Sequence, residues 1–268
     1  MNSALIGPAP RIAVDYVGRG PLLVFLHGIG GNRSNWSDQL PVFGAHFLAA
    51  AWDARGYGDS DDYQGPLEFG DFSRDLARVI DHFGASTAHL VGLSMGGRIA
   101  RDFYFRFPGH VATLTLCNTS AGFGTLSPEA VEAFVRARQE PLLSGKSPRD
   151  IAPGLARGLI GKSAVPGAYE RLVASMESLR AESYLKTVAA SVAQDRGADL
   201  EAIRVPVHVV TSDEDRLYPM DTARAMAARI PGATISVIPG AGHLSNLEQP
   251  ERFNRAVLDF LIERRGSV

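Results

Sequence analysis

Residues 91–97 read Val-Gly-Leu-Ser-Met-Gly-Gly, and they constrain this chain more than any other stretch. An apolar run, Ala88 to Leu93, leads into them, and a helix-like segment, Arg98 to Phe107, follows. A Gly-x-Ser-x-Gly at such a junction reads as a nucleophile elbow, a strand-to-helix turn sharp enough to expose the serine hydroxyl. Ser94 must then take strained dihedrals. The glycines two residues to either side let neighbouring backbone pass where a Cβ would clash. A helix beginning at the serine points its free N–H groups and its dipole at any negative charge formed there. A plain Gly-rich turn fits the same pentapeptide, so the rest of the chain has to decide.

Around this turn the pattern predicts an α/β fold, a mostly parallel central sheet flanked by helices. Arg11 to Gly18 reads as an edge strand. Leu22 to Leu26 is continuously apolar, as expected of a strand buried on both faces of a parallel sheet. It runs into His27-Gly28-Ile29-Gly30-Gly31-Asn32, a loop able to turn main-chain N–H groups toward a ligand. The loop lacks the Lys-Ser/Thr that ends a phosphate-binding P-loop. The backbone N–H groups of Ile29 and of Met95, just after the serine, are the candidate oxyanion donors. His27 reads as a brace for the loop, and Trp36 as core packing or a pocket wall. Phe47 to Trp52 is another buried strand, and Asp53 and Arg55 after it read as bonding the loop backbone. Asp71 to Phe83 spaces its apolar residues as one helical face, and Val111 to Cys117 is again a strand.

From 121 to 200 the strands stop. Ser127-Pro128, Ser147-Pro148, Val165-Pro166 and Arg180-Ala181-Glu182 introduce four helical segments. An insertion of this size after a sheet strand predicts a helical lid over the sheet's C-terminal edge, where open α/β sheets bind ligands. The predicted organisation is therefore a core from 1–120 and 201–268 with a lid from 121–200.

Strands resume at Val205 to Thr211, and Asp213, Glu214 and Asp215 then compete for one acidic role. Asp215 is favoured by its distance from the strand end and its lead into Pro219, while Asp221 reads as a helix cap or solvated loop acid. Met220 to Arg229 is helical, Thr234 to Ile238 is a last strand, and its exit loop ends in Gly242-His243. Gln249 to Arg264 closes the chain as an amphipathic helix. Ser94, Asp215 and His243 thus each follow a predicted parallel strand, in the order serine, acid, histidine.

On Gly-Leu-Ser-Met-Gly, on Asp215, on Gly-Ala-Gly-His and on His27-Gly28, the chain resembles the α/β-hydrolase family over nearly all its length. The resemblance implies a catalytic triad of Ser94, Asp215 and His243, with Ile29 and Met95 as the oxyanion hole, and no metal or organic cofactor. A serine at the elbow argues against epoxide or haloalkane hydrolysis. Leu116-Cys117-Asn118-Thr119 and His243-Leu244-Ser245-Asn246-Leu247-Glu248 are similar to 3-oxoadipate enol-lactonases of aromatic catabolism. The expected substrate is a small ester or lactone, with Trp36 and Leu244 as candidate contacts. Other readings are a carbon–carbon bond hydrolase of ring-cleavage products, an acyl-homoserine lactonase, a perhydrolase, a menaquinone-pathway synthase, or a ligand sensor with little turnover. An enol-lactone would bring a carboxylate, for which Arg33, Arg136, Arg138, Arg157, Arg171 and Arg180 are candidates.

Composition narrows the partners. A net charge of −2 without a basic stripe argues against nucleic acid and anionic membranes. Cys117 is the sole cysteine, so no internal disulfide can form. No secretory signal and no apolar run of about 20 residues are visible, so a cytoplasmic protein acting on a small molecule is expected.

Overall fold

The side chains of Leu22–Leu26 divide between two cores. Leu22, Val24 and Leu26 join an apolar cluster on one side of the sheet, and Leu23 and Phe25 join a second cluster on the other. That division is what an uninterrupted apolar run means in an extended strand, where successive side chains alternate faces. The structure, a computed structural model, describes residues 1–193 and 197–265. Residues 194–196 of the expected lid and 266–268 of the expected core lie outside the described residues.

The strands are β1 (Asn2–Ile6), β2 (Ile12–Gly18), β3 (Leu22–Leu26), β4 (Leu48–Trp52), β5 (Ala88–Leu93), β6 (Val111–Cys117), β7 (Val207–Ser212) and β8 (Thr234–Ile238). They form one sheet in the order β1-β2-β4-β3-β5-β6-β7-β8. β1 and β2 run antiparallel to their neighbours and the remaining pairs are parallel. One sequence expectation fails here: β2 is not the edge strand, because β1 pairs outside it. β1 carries little apolar signal, since only Ile6 of its five residues is fully buried.

Helices α1 (Gln39–Gly44), α2 (Gly70–His82), α3 (Met95–Arg106), α8 (Met220–Arg229), α9 (Ser245–Glu248) and α10 (Pro250–Ile262) accompany the sheet. Between β6 and β7 the chain runs through α4 (Pro128–Leu143), α5 (Pro148–Leu159), α6 (Ala168–Glu177) and α7 (Ala181–Ala193). The Ser-Pro starts behave as their chemistry requires. Ser127 and Ser147 accept hydrogen bonds from the Ala130 and Asp150 amides, and each is followed by proline in the first turn. Among the described residues no helix is long and apolar enough to cross a membrane.

Strand order fixes where ligands can bind. β4 lies on one side of β3 and β5 on the other, so the loops leaving β3 and β5 diverge and leave a crevice between them. In register, Leu26 faces Gly92, Leu93 faces Cys117, Cys117 faces Val210, and Ser212 faces Ile238. The exit loops of β3, β5, β6, β7 and β8 therefore stand in a row along one sheet edge.

Candidate active site

Ser94 sits at φ 56° and ψ −116°, a left-handed conformation that a serine adopts only when its surroundings hold it there. Its amide donates to the Cys117 carbonyl at 2.8 Å, and its own carbonyl accepts from Thr119 Oγ1 at 2.7 Å. The flanking glycines are required sterically. A Cβ on Gly92 would collide with the Gly96 carbonyl, and one on Gly96 would collide with the Leu26 carbonyl. The β3 exit loop passes just as close, since a Cβ on Gly28 would lie 3.0 Å from the Ser94 Cβ. Met95 is the first residue of α3, so no carbonyl one turn earlier in that helix takes its N–H.

His243 Nδ1 lies 2.9 Å from Asp215 Oδ2. The carboxylate accepts, so the proton sits on Nδ1 and Nε2 keeps its lone pair. The other acids of the loop are engaged elsewhere. Asp213 accepts from the Gly240 amide at 2.7 Å, and Glu214 accepts from Ser163 Oγ at 2.9 Å and from the Lys162 amide. Asp221 stands in the first turn of α8, 3.4 Å from Arg224.

Asp215 is buried and held from both sides. Oδ1 accepts from the Leu217 and Tyr218 amides at 2.9 and 3.0 Å, and Oδ2 accepts from Asn118 Nδ2 at 3.1 Å. Burial opposes the charge. The attraction of His243, its hydrogen bond, and those of the Tyr218 amide and Asn118 outweigh it and hold the carboxyl below its ordinary range. Asn118, itself at φ 42°, also donates to Ser212 Oγ at 2.6 Å and accepts from Ser245 Oγ at 2.6 Å.

A second buried carboxylate shapes the histidine loop. Glu248 accepts from the Gly161, Gly242 and Leu244 amides at 2.7, 2.8 and 2.9 Å. Burial raises its pKa in spite of those three donors. Gly161 belongs to the turn after α5, and the Leu159 carbonyl of that helix accepts the His243 amide at 2.8 Å. The helical insertion thus supports the loop that carries His243.

Ser94, Met95, Ile29, His243, Trp36 and Leu244 all line one cavity of about 300 Å³ between the sheet edge and the insertion. Ser94 and His243 share that cavity without a hydrogen bond between them among the described residues. Trp36 packs and lines at once, stacking on Phe25 with ring centroids 4.8 Å apart. His27 is fully buried, with Nε2 accepting from the Ala54 amide at 3.0 Å and Nδ1 donating to the Gly28 carbonyl at 2.8 Å. Burial lowers its pKa, so it braces the loop as a neutral ring. Asp53 accepts from the Arg33 and Asp59 amides, whereas Arg55 differs from expectation and pairs with Asp75 on α2 at 2.6 Å. Among the described residues no group of three or more His, Cys, Asp or Glu side chains could hold a metal ion.

A family model described as the alpha/beta hydrolase family matches residues 23–256, a span from β3 to α10 that includes every loop of this site. The chain belongs to the α/β hydrolase family. Among its relatives in that family, the chain is 27% identical to 3-oxoadipate enol-lactonase 2 of Acinetobacter baylyi, over 96% of this chain and 91% of that one. It is 29% identical to a 2-hydroxy-6-oxononadienedioate/2-hydroxy-6-oxononatrienedioate hydrolase of Burkholderia vietnamiensis, over 95% and 92% of the two chains. A malate-bound esterase from Thermogutta terrifontis superposes with a TM-score of 0.88 at 28% identity, covering 99% of this chain and 100% of that one.

Sequence reasoning missed Asn118, Glu248, Arg98 and Arg216 as site residues. Asn118 carried one readable signal, its place immediately after a strand that neighbours the elbow. Glu248 carried none, because its partners are backbone amides, two of them in its own loop and the third, Gly161, 87 residues away in the chain.

Proposed function

We propose that the protein is a serine hydrolase that cleaves an ester or lactone of a small organic acid through an acyl-enzyme on Ser94. The observation that carries this reading is the pairing, in one cavity, of a serine at positive φ with a histidine whose Nδ1 is bonded to a buried carboxylate. His243 Nε2 takes the Ser94 proton as Oγ attacks the carbonyl, and Asp215 holds the tautomer and stabilises the imidazolium. The Ile29 and Met95 amides receive the oxyanion, each donor contributing about 3 kcal/mol to the transition state. His243 then protonates the leaving alkoxide or enolate. A water deprotonated by the same ring releases the acid. The likeness to 3-oxoadipate enol-lactonase supports an enol-lactone as the substrate within this class.

The test is Ser94→Ala, with labelling by a serine-directed phosphonate and a rate panel of lactones, p-nitrophenyl esters and vinylogous diketones. We expect labelling at Ser94 alone and a loss of more than about 10³-fold in the variant. Residual activity within tenfold of the parent removes Ser94 from the mechanism. Faster turnover of the diketones than of any ester or lactone replaces the reading with carbon–carbon bond hydrolysis.

A further inference from the structure

The cavity beside Ser94 carries charge of one sign. Arg98, Arg138 and Arg216 line it, and among the described residues no Asp or Glu does. The other arginines singled out from the sequence are engaged away from it. Arg33 pairs with Asp15 and Asp59 at 3.0 and 2.6 Å, and Arg171 pairs with Asp38 at 2.6 Å. Arg180 donates to the Gly58 and Ser60 carbonyls, Arg136 lies exposed beside Glu132, and Arg157 stands over the Tyr169 ring.

Arg138, on α4, is different. Its Nη1 donates to the Phe134 carbonyl one turn back at 3.2 Å, and its Cζ lies 3.5 Å from the centre of the Phe134 ring. It has no carboxylate partner among the described residues. Burial lowers its pKa, yet a guanidinium keeps its proton at any physiological pH. The cavity wall therefore holds a partly desolvated cation with most of its donors unused. A charge in that state is costly until an anion meets it.

Tyr184, on α7, points the same way independently. The residue is 2% exposed and lines the cavity, but its hydroxyl has no hydrogen-bond partner among the described residues. The hydroxyl oxygen is not itself sealed off, so its O–H is a donor open to a ligand in the cavity. Arg138 and Tyr184 line the same cavity from the packed helices α4 and α7, so a guanidinium and a phenol O–H serve one space.

We propose that this spot is a carboxylate site, and that the substrate is an acyl compound bearing a second, anionic group held there by Arg138 and Tyr184. The assignment rests on the reading of Ser94 as the acylated residue. Arg138 and Tyr184 belong to the insertion and Ser94 to the sheet edge, so the substrate spans the cavity between them. The planar fork of arginine receives a carboxylate through two N–H donors, and the phenol adds a third.

The test compares the mono-p-nitrophenyl ester of glutaric acid with p-nitrophenyl pentanoate, in which a methyl replaces the carboxylate. The readout is the ratio of their kcat/KM values. We expect a ratio above one that falls with added salt. Arg138→Ala should lower it by about 10- to 100-fold, mostly through KM, as expected for losing hydrogen bonds to a charged group. Arg138→Lys should fall between, keeping charge without the fork, and Tyr184→Phe should lower the ratio by about three- to tenfold. A wild-type preference for the pentanoate at every salt concentration overturns the proposal, as does a ratio unmoved by Arg138→Ala. Calorimetry of glutarate binding to Ser94→Ala, with and without Arg138→Ala, separates the two readings. Equal affinity in both, with hydrolysis abolished, sinks the carboxylate site and leaves the acyl-enzyme standing. Weaker glutarate binding in the double variant, with hydrolysis intact in Ser94→Ala, does the reverse.

Discussion

Asn118→Asp changes one atom's chemistry and keeps the shape of a residue on which Asp215 depends. Aspartate tolerates the left-handed backbone almost as well as asparagine, so φ 42° adds little cost. The amide donor 3.1 Å from Asp215 Oδ2 becomes a carboxylate oxygen. Losing a donor to a charged group costs about 1.5–3 kcal/mol. Two carboxylates about 3 Å apart at an effective dielectric near 20 would repel by about 5 kcal/mol. That figure has a ceiling, because protonating a carboxyl of ordinary pKa near 4 costs only about 4 kcal/mol at pH 7. The expected destabilisation at pH 7.5 is therefore about 3–5 kcal/mol. The pair must share a proton, so its folded-state pKa rises above that of the unfolded chain. The folded variant then binds more protons than the unfolded one, and its stability falls as pH rises from about 4 toward neutrality. In the parent Asp215 is shifted the other way, so its contribution is lost only as pH falls below the ordinary carboxylate range. Denaturant unfolding at pH 5.0 and 7.5, with kcat/KM at each, reads both effects. A destabilisation that is equal at the two pH values, or below about 1 kcal/mol at pH 7.5, refutes the claim that Asn118 sustains the charge on Asp215.

Three further outcomes follow from the same geometry. Asp215→Asn should cost about 10⁴-fold in kcat by releasing the His243 tautomer, while Asp213→Asn, which touches only the Gly240 amide, should stay within about tenfold; the reverse ranking would move the acid. Gly96→Ala would drive its Cβ into the Leu26 carbonyl, so thermal melting should show at least about 3 kcal/mol lost, against less than about 1 for Gly109→Ala, whose Cβ meets nothing. His89 and His208 are buried with pKa values lowered to about 4 by desolvation, so each stays neutral while the unfolded chain takes up a proton near pH 6.5. Stability should therefore fall by up to about 3 kcal/mol per residue as pH drops from 6.5 to 4, and His89→Leu should flatten that slope in denaturant titrations.

The parts legible in the sequence were those set by local chemistry. β3 and β6 matched their apolar runs because strands buried on both faces have no polar phase to blur them. The elbow was legible because close backbone approach admits only glycine on either side of Ser94. β1 was not, being an edge with one buried side chain, nor was α1, a six-residue helix containing Pro41. Among the arginines of the helical insertion nothing in the sequence separates Arg138 from Arg171. Their difference lies in partners, and Asp38, which takes Arg171, is distant in the chain. Asn118 and Glu248 show the same limit, since each acts through backbone or side chains brought near only by the completed sheet.

The Leu159 carbonyl and the Gly161 amide, both bonded to the histidine loop, divide the insertion into two kinds of territory. α4 and α7 meet each other and the cavity, and among the described residues neither is hydrogen-bonded to the histidine loop. The turn that follows α5 is bonded to that loop and holds the His243 and Glu248 backbone in place. Divergence toward new substrates is thus free to redraw the walls while this turn stays fixed. An engineer who transplants a foreign helical insertion onto this sheet should cut outside residues 159–165, or the graft will leave the histidine out of line.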